Sequence, residues 1–307
     1  MRIALVTDST VDLPADVIEQ HHIHIVPITL IVDGVTMEDG GGKNSEVPMI
    51  DRSKFYRDLP QMKTFPTTAA PSPINFQKVF EHLLNEGYDH ILSVNFSKEL
   101  SATVNNAFLA AENFAGKVTV VDSRQISMTM GFQVLAAAEA IEELSSSASL
   151  SPEEVVKEAV RRMNDVRQRE FIYALVDTLE YLHKGGRVSW VKAAIGTMLK
   201  MKFIISVVDG QVTRVGQVRT RRGGWEKIKE LLTPHAPFER MGVFHCGADP
   251  EEVNEIAEMF VHYLAPCHSS ASVNKPFVIP LTPIIGAHTG PNLIGLAVLS
   301  CKASSQS

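Results

Sequence analysis

Ile3-Ala4-Leu5-Val6-Thr7-Asp8-Ser9-Thr10-Val11-Asp12-Leu13-Pro14 opens the chain with a short apolar run that breaks on hydroxyls and acids. From Pro14 to Gln20 the pattern predicts a helix, with Pro in its first turn and Asp12 and Asp16 placed to favour the positive end of its dipole. That is a strand, loop, helix unit. Similar units follow: a strand over Ile25 to Val32, an amphipathic helix from Asn75 to Glu86 closed by Gly87, and a strand from His90 to Asn95. A helix from Ala102 to Phe114, ending near Gly116, then leads to a strand from Val118 to Val121. Such alternation predicts an N-terminal three-layer α/β/α domain built on a mostly parallel sheet with helices on both faces.

A long helix from Met130 to Leu144 then runs into Ser145-Ser146-Ser147-Ala148-Ser149, and Ser151-Pro152-Glu153-Glu154 opens the next, with Ser151 as N-cap. The expected division is an α/β domain over 1–150 and a second domain over 151–307. In the second, Phe171 to Val176 and Phe203 to Val208 read as strands. Asp209-Gly210 is a hairpin signal leading into Gln211 to Gln217, and Trp225 to Leu232 and Pro250 to Tyr263 read as helices. Strands joined partly by hairpins predict a C-terminal α+β domain with a mixed or antiparallel sheet. Asp39 to Asp51, containing Gly40-Gly41-Gly42, reads as an exposed loop.

Composition narrows the function. The 307 residues are 45% hydrophobic and 21% charged, with a net charge of −6, and the pI is near 6.0. That sign is wrong for a chain whose main role is to coat nucleic acid or an anionic membrane. No apolar run reaches the roughly 18 to 20 residues of a membrane span, so no stable membrane insertion is expected. Nor does a signal-peptide core precede Thr7-Asp8, and the expected location is cytoplasmic. Cys246, Cys267 and Cys301 are odd in number and far apart, which argues against a disulfide framework and a structural zinc site.

The fold class invites nucleotide signatures, and none fits. Lys43 follows three glycines, but Asn44 stands where Ser or Thr would hold magnesium, and no G-x-G-x-x-G follows the first strand. No cofactor is therefore expected. Asp8 follows a strand as a phosphotransferase nucleophile would, yet with Ser9 beside it the stretch reads as a turn cap. His21, His22 and His24 lie where a helix hands over to a strand, so they read as solvated helix-end residues and not as a metal site. No G-x-S-x-G elbow is present. Four polar segments remain: Thr67-Thr68-Ala69-Ala70-Pro71-Ser72-Pro73; Ser97-Lys98-Glu99-Leu100-Ser101-Ala102-Thr103; Leu182-His183-Lys184-Gly185-Gly186-Arg187-Val188-Ser189; and Gly286-Ala287-His288-Thr289-Gly290-Pro291. The second stands at the carboxyl edge of the expected parallel sheet, where open α/β sheets bind ligands. Taken singly, each reads first as structural, the second and third as helix caps and the first and fourth as turns.

Taken together and in this order, they carry a resemblance to the DegV family, the fatty-acid-binding proteins that serve bacterial fatty acid kinase. Thr7-Asp8-Ser9-Thr10 with Asp12-Leu13-Pro14, Val26-Pro27, Thr68 with Pro71-Ser72-Pro73, and Ser97 with Leu100-Ser101 and Thr103 are the first part of it. Asp122-Ser123, Leu182 with Lys184-Gly185-Gly186-Arg187, and Ala287-His288-Thr289-Gly290-Pro291 complete it. The resemblance implies a two-domain protein with a long-chain fatty acid in an apolar tunnel between the domains. Thr68, Ser97 and His288 would hold its carboxyl group, and a separate kinase subunit would phosphorylate that group to an acyl phosphate. On this reading the chain is a carrier and not an enzyme. Ala69, Ala70, Ala102, Phe203 and Asn292 depart from the family pattern, at positions where Ser, Gln, Gly, Pro and Gly are usual.

Such a ligand suits a chain without a catalytic signature. A carboxylate leaving water needs several hydrogen bonds, which two hydroxyls, an imidazole and loop N–H groups supply. Burying about fifteen methylenes at roughly 0.8 kcal/mol each yields on the order of 12 kcal/mol before binding costs. The alternatives are an acyl hydrolase or transferase using Ser97 with His288, and a lipid-responsive regulator. Arg187 is expected to hydrogen-bond exposed carbonyls or face a partner. Arg214, Arg219, Arg221, Arg222, Lys227 and Lys229 oppose only Glu226 between 214 and 229, which reads either as a solvated face or as a docking patch for an acidic kinase surface or ATP phosphates.

Overall fold

The computed structural model describes residues 1–40, 47–147, 149–188, 190–191, 201–265 and 275–302. Part of the glycine loop with Lys43 and Asn44, Ala148 of the serine tract, Ser189 and Cys267 therefore lie outside the described residues. The chain forms two compact units. The first comprises Met1–Asp51, Thr64–Arg167 and Asp209–Gln211, and the second Arg52–Lys63, Gln168–Val208 and Val212–Ser307.

In the first unit, β1 (Ile3–Asp8), β2 (Ile23–Val26), β6 (His90–Asn95) and β7 (Val118–Asp122) form a parallel sheet in the order β2-β1-β6-β7. Alternation along β1 sends Ala4 and Val6 into a core with Phe76, Phe80 and Leu83 of α3 (Pro73–Asn85) and Ala107 and Ala110 of α4 (Thr103–Ala111). The opposite side of the sheet carries α5 (Ser127–Leu144), which packs on β1 and on α6 (Pro152–Arg167). This is the three-layer α/β/α arrangement that the alternation predicts. Ser72 caps α3 with a capping box to Asn75, and Pro73 occupies its first position.

The predicted single strand from Ile25 to Val32 is two strands. β2 ends at Val26, Pro27 interrupts, and β3 (Ile28–Val32) joins a separate antiparallel sheet of order β4-β3-β5 with β4 (Val35–Asp39) and β5 (Thr67–Ala69). Asp33 and Gly34, both at positive φ, turn β3 into β4. Asp39, expected in an exposed loop, ends β4 and is buried. The short helix α1 (Ala15–Gln20) follows β1 with no side-chain cap, and Asp12 instead accepts a hydrogen bond from Ser127 Oγ at 2.9 Å.

The second unit holds a six-stranded mixed sheet of order β10-β9-β8-β13-β11-β12. Its strands are β8 (Glu170–Val176), β9 (Lys202–Val208), β10 (Gln211–Val218), β11 (Phe238–His245), β12 (Phe277–Pro280) and β13 (Ile294–Ser300). β11 and β12 pair in parallel, whereas β8 with β9, β8 with β13 and β11 with β13 are antiparallel. Asp209 and Gly210, at φ 51° and 83°, make the tight turn between β9 and β10 that their sequence signals. Trp225, Ile228 and Leu232 of α8 (Arg221–Leu232) and Val253, Ile256 and Phe260 of α9 (Pro250–Val261) form one core with Leu175, Val243 and Leu296. The helix α2 (Arg52–Asp58) also belongs to this unit, with Tyr56 Oη donating to the carbonyls of Leu281 and Thr282 at 2.8 and 3.1 Å. Cys246 is a buried free thiol, whereas Cys301 is disulfide-bonded. Wide spacing in sequence had argued otherwise, but it places no limit on proximity in space.

One buried carboxylate ties the first unit together. Asp8 is fully shielded; Thr10 N–H and Oγ–H donate to its Oδ1 at 3.0 and 2.5 Å, and Phe96 N–H donates to its Oδ2 at 2.9 Å. Burial pushes its pKa upward, against the pull of these three donors. The stretch is thus the turn cap that its composition suggested, joining the end of β1 to the segment after β6. Replacing Asp8 by Ala orphans the three donors and lowers the unfolding free energy by about 2 to 4 kcal/mol. Urea titration reads this as a lower midpoint at unchanged slope; a loss below about 0.5 kcal/mol would deny the carboxylate that role.

Candidate functional site

Ser97 lies two residues beyond the end of β6 and is completely buried. Its N–H donates to the Gln125 carbonyl at 3.1 Å, and its Oγ accepts from Glu99 N–H at 3.2 Å. The hydroxyl proton goes to the carbonyl of Gly210 at 2.8 Å, in the turn that belongs with the first unit. Arg124 and Asp209, 3.1 Å apart, hold that turn as well. Ser101 Oγ and Thr103 Oγ1 are 2.8 Å apart, and Ser101 Oγ accepts Thr103 N–H as α4 begins. The second polar segment is therefore hydrogen-bonded at the carboxyl edge of the sheet, where its sequence position placed it.

Thr68 sits on β5, half-buried, opposite Leu30 of β3. It lies in a strand and not in a turn. Three bonds link its sheet to Ser97 within the first unit. Ser9 Oγ accepts from Ile28 N–H at the start of β3 at 3.0 Å, Asp8 holds Phe96, and Asn106 Nδ2 of α4 donates to the Pro71 carbonyl at 2.8 Å. The two hydroxyl-bearing segments are thus fastened to one framework.

His288 belongs to the second unit. The segment Gly286 to Pro291, read from sequence as a turn, is for the most part helical: α10 (Pro283–Thr289) begins with Thr282 as N-cap and Pro283 at its first position, and His288 occupies its last turn. Its imidazole packs against the end of α7 (Glu180–Gly185), where a Cβ on Gly185 would lie 2.5 Å from Nδ1. Gly185 is therefore required for close approach, a role hidden behind its obvious reading as a helix stop; Gly186, at φ 70°, performs the stop. Burial, with Arg187 adding a like charge, lowers the His288 pKa to about 4, so the ring is neutral near pH 7. Arg187 donates to the Gly185 carbonyl at 2.6 Å, the connector contact expected of it.

Three of the departures from the family pattern can be placed in the fold. Asn292 adopts φ 61°, a left-handed conformation that Asn tolerates best after Gly. Ala102 stands at φ −74°, where no glycine is needed. Phe203 is buried in β9 opposite Val176. The basic run is less available than its sequence suggests. Arg221 is 22% exposed and contacts Asp177 at 2.9 Å and Glu252 at 2.6 Å, and Lys227 pairs with Glu230 at 2.7 Å. Arg214, Arg219, Arg222 and Lys227 are the exposed members. Among the described residues no cluster of three or more His, Cys, Asp or Glu is placed to hold a metal, and no helix is long and apolar enough to cross a membrane.

Known proteins share this architecture throughout. A DegV domain-containing protein of Streptomyces coelicolor is 32% identical over 304 residues, covering 97% of this chain and 98% of its own. One from Staphylococcus aureus is 30% identical over 299 residues, with 96% and 98% covered. Among solved structures, a fatty-acid-binding DegV family protein from Thermus thermophilus superposes with a TM-score of 0.80 at 32% identity, covering 98% of this chain and all of that one. DegV of Bacillus subtilis, a fatty acid binding protein, gives 0.79 at 28% identity with 98% and 99% covered. A stearic-acid-binding protein from Eubacterium ventriosum gives 0.79 at 25% identity with 98% of each chain covered. The family described as "Uncharacterised protein, DegV family" matches residues 2–300, and this chain belongs to the DegV family.

Proposed function

We propose that this protein binds one long-chain fatty acid, its carboxylate held by the hydroxyls of Thr68 and Ser97 and the imidazole of His288, and presents that group to a separate kinase for conversion to an acyl phosphate. The observation that carries the reading is the Thermus relative, a fatty-acid-binding protein alike over nearly the whole chain. The chemistry of the donors supports it. A neutral imidazole offers an N–H to a carboxylate without the desolvation cost of burying a second charge. Ser97 gives its proton to the Gly210 carbonyl, so engaging a ligand means exchanging a neutral acceptor for a charged one, which strengthens the bond.

The acyl hydrolase or transferase reading is weaker. Ser97 Oγ donates to a backbone carbonyl and not to an imidazole, and a histidine held near pKa 4 is a poor general base at neutral pH.

Replacing Ser97 by Ala removes one donor to a charged acceptor and weakens fatty acid binding by roughly ten- to a hundredfold. An unchanged dissociation constant in a fluorescent fatty acid displacement titration would rule out direct contact.

The low pKa of His288 makes stability depend on pH in a defined direction. The unfolded chain takes up the proton as pH falls through the ordinary 6.5, while the folded chain resists until about 4. The stabilisation is therefore complete above 6.5 and lost progressively down to 4, by about 3 kcal/mol. His288→Gln should flatten the urea stability profile in that window; identical profiles would show that the ring titrates normally.

Kinase docking rests on Arg219 and Arg222, since reversing Arg221 would break its ion pairs with Asp177 and Glu252. Arg219→Glu with Arg222→Glu should slow acyl-phosphate formation by the cognate kinase, more so at low salt, with fatty acid affinity unchanged. Equal rates across a salt series would reduce the run to solvated surface.

A further inference from the structure

A cavity of about 480 Å³ opens in the first unit between β2 and α3, within the usual range for small-molecule sites. β2 is the end strand of the parallel sheet, so this side of it is not covered by another strand among the described residues. None of the residues assigned above to the fatty acid lines the cavity. Ile25, Val79 and Leu83 supply apolar wall, and His24, Lys78 and His82 supply the polar lining. Lys78 and His82 are one helical turn apart on α3, both exposed, while Phe76, Phe80 and Leu83 carry the buried face of the same helix.

Lys78 brings a lysine side chain to the rim for a negative guest. Glu86 lies 3.3 Å from His82 Nε2, the two side chains being 49% and 70% exposed, and an exposed pair contributes little stability, so an anionic head group can replace Glu86 at His82. His24 is set edge-on against Tyr88 with centroids 5.9 Å apart, and its Nε2 is buried without a hydrogen-bond partner among the described residues. A buried polar atom left unsatisfied is costly and marks a place where a polar group is missing.

We propose that this cavity is a second ligand site, for a small amphiphilic anion whose carboxylate or phosphate head is taken by Lys78 and His82 and whose apolar body lies on Ile25, Val79 and Leu83. The site shares no residue with the fatty acid reading, and either can fail alone. The test is NMR of the histidine ring signals of the intact chain, titrated with octanoate, with octyl phosphate and with octanol as the uncharged control. Saturable shifts of the His24 signal are expected with one or both anions, and the anion that binds tighter identifies the head group. Octanol should bind at least about tenfold more weakly, and Lys78→Glu with His82→Glu should weaken the anions by at least about tenfold. A silent His24 signal, equal affinity for octanol, or an unchanged affinity after charge reversal would each overturn the proposal.

Discussion

Much of the first unit depends on how the Asp8 carboxylate is satisfied. With no lysine or arginine paired to it among the described residues, it is held by donors, two on Thr10 and one at Phe96. The consequence is geometric. β1 cannot move relative to the segment after β6 without breaking the bond from Phe96 N–H to Asp8, so Ser97, the residue after Phe96, inherits its position from Asp8. Ser9 extends the same fastening to β3 through Ile28 and hence to Thr68 across the β3-β5 pairing. Two hydroxyls 29 positions apart in sequence are located by one turn of four residues.

In the second unit the equivalent constraint is steric. His288 is brought against α7 because Gly185 offers no Cβ, and that closeness buries the ring and keeps it neutral. The two units thus supply neutral donors by unlike means: hydroxyls fixed by a hydrogen-bonded turn, and an imidazole fixed by packing.

The strand, loop, helix rhythm of the first half was legible because strand and helix periods differ and glycines such as Gly87 and Gly116 punctuate them. The Asp209-Gly210 turn was legible for its chemistry. Other parts were not. Pro27 sits inside an unbroken apolar run, so periodicity alone merged β2 and β3, although a proline lacks the N–H that an interior strand needs. β11 carries no clear strand signal, because Glu239, Arg240 and Gly242 interrupt its pattern, yet Arg240 is buried in the fold. His288 looked like part of a turn because Gly286 and Gly290 flank it, while Thr282-Pro283 carried the helix-start signal that would have corrected this. The excursion of Arg52–Lys63 into the second unit rests on Tyr56 Oη and Arg52 Nη1 reaching backbone carbonyls at Leu281, Thr282 and Pro280. Contacts to carbonyls leave no trace in residue type at the accepting positions. The ion pairs that occupy Arg221 were equally invisible, since Asp177 and Glu252 are 44 and 31 positions away.

The central claim is that one carboxylate is shared by Thr68, Ser97 and His288. The most direct measurement is a crystal structure of the protein grown with stearic acid. The account predicts a carboxyl group with an oxygen within about 3.2 Å of the Thr68 and Ser97 hydroxyls and of a His288 ring nitrogen, and with Ser97 turned away from Gly210. A fatty acid whose carboxyl group lies elsewhere, with the Ser97 to Gly210 bond intact, would contradict it.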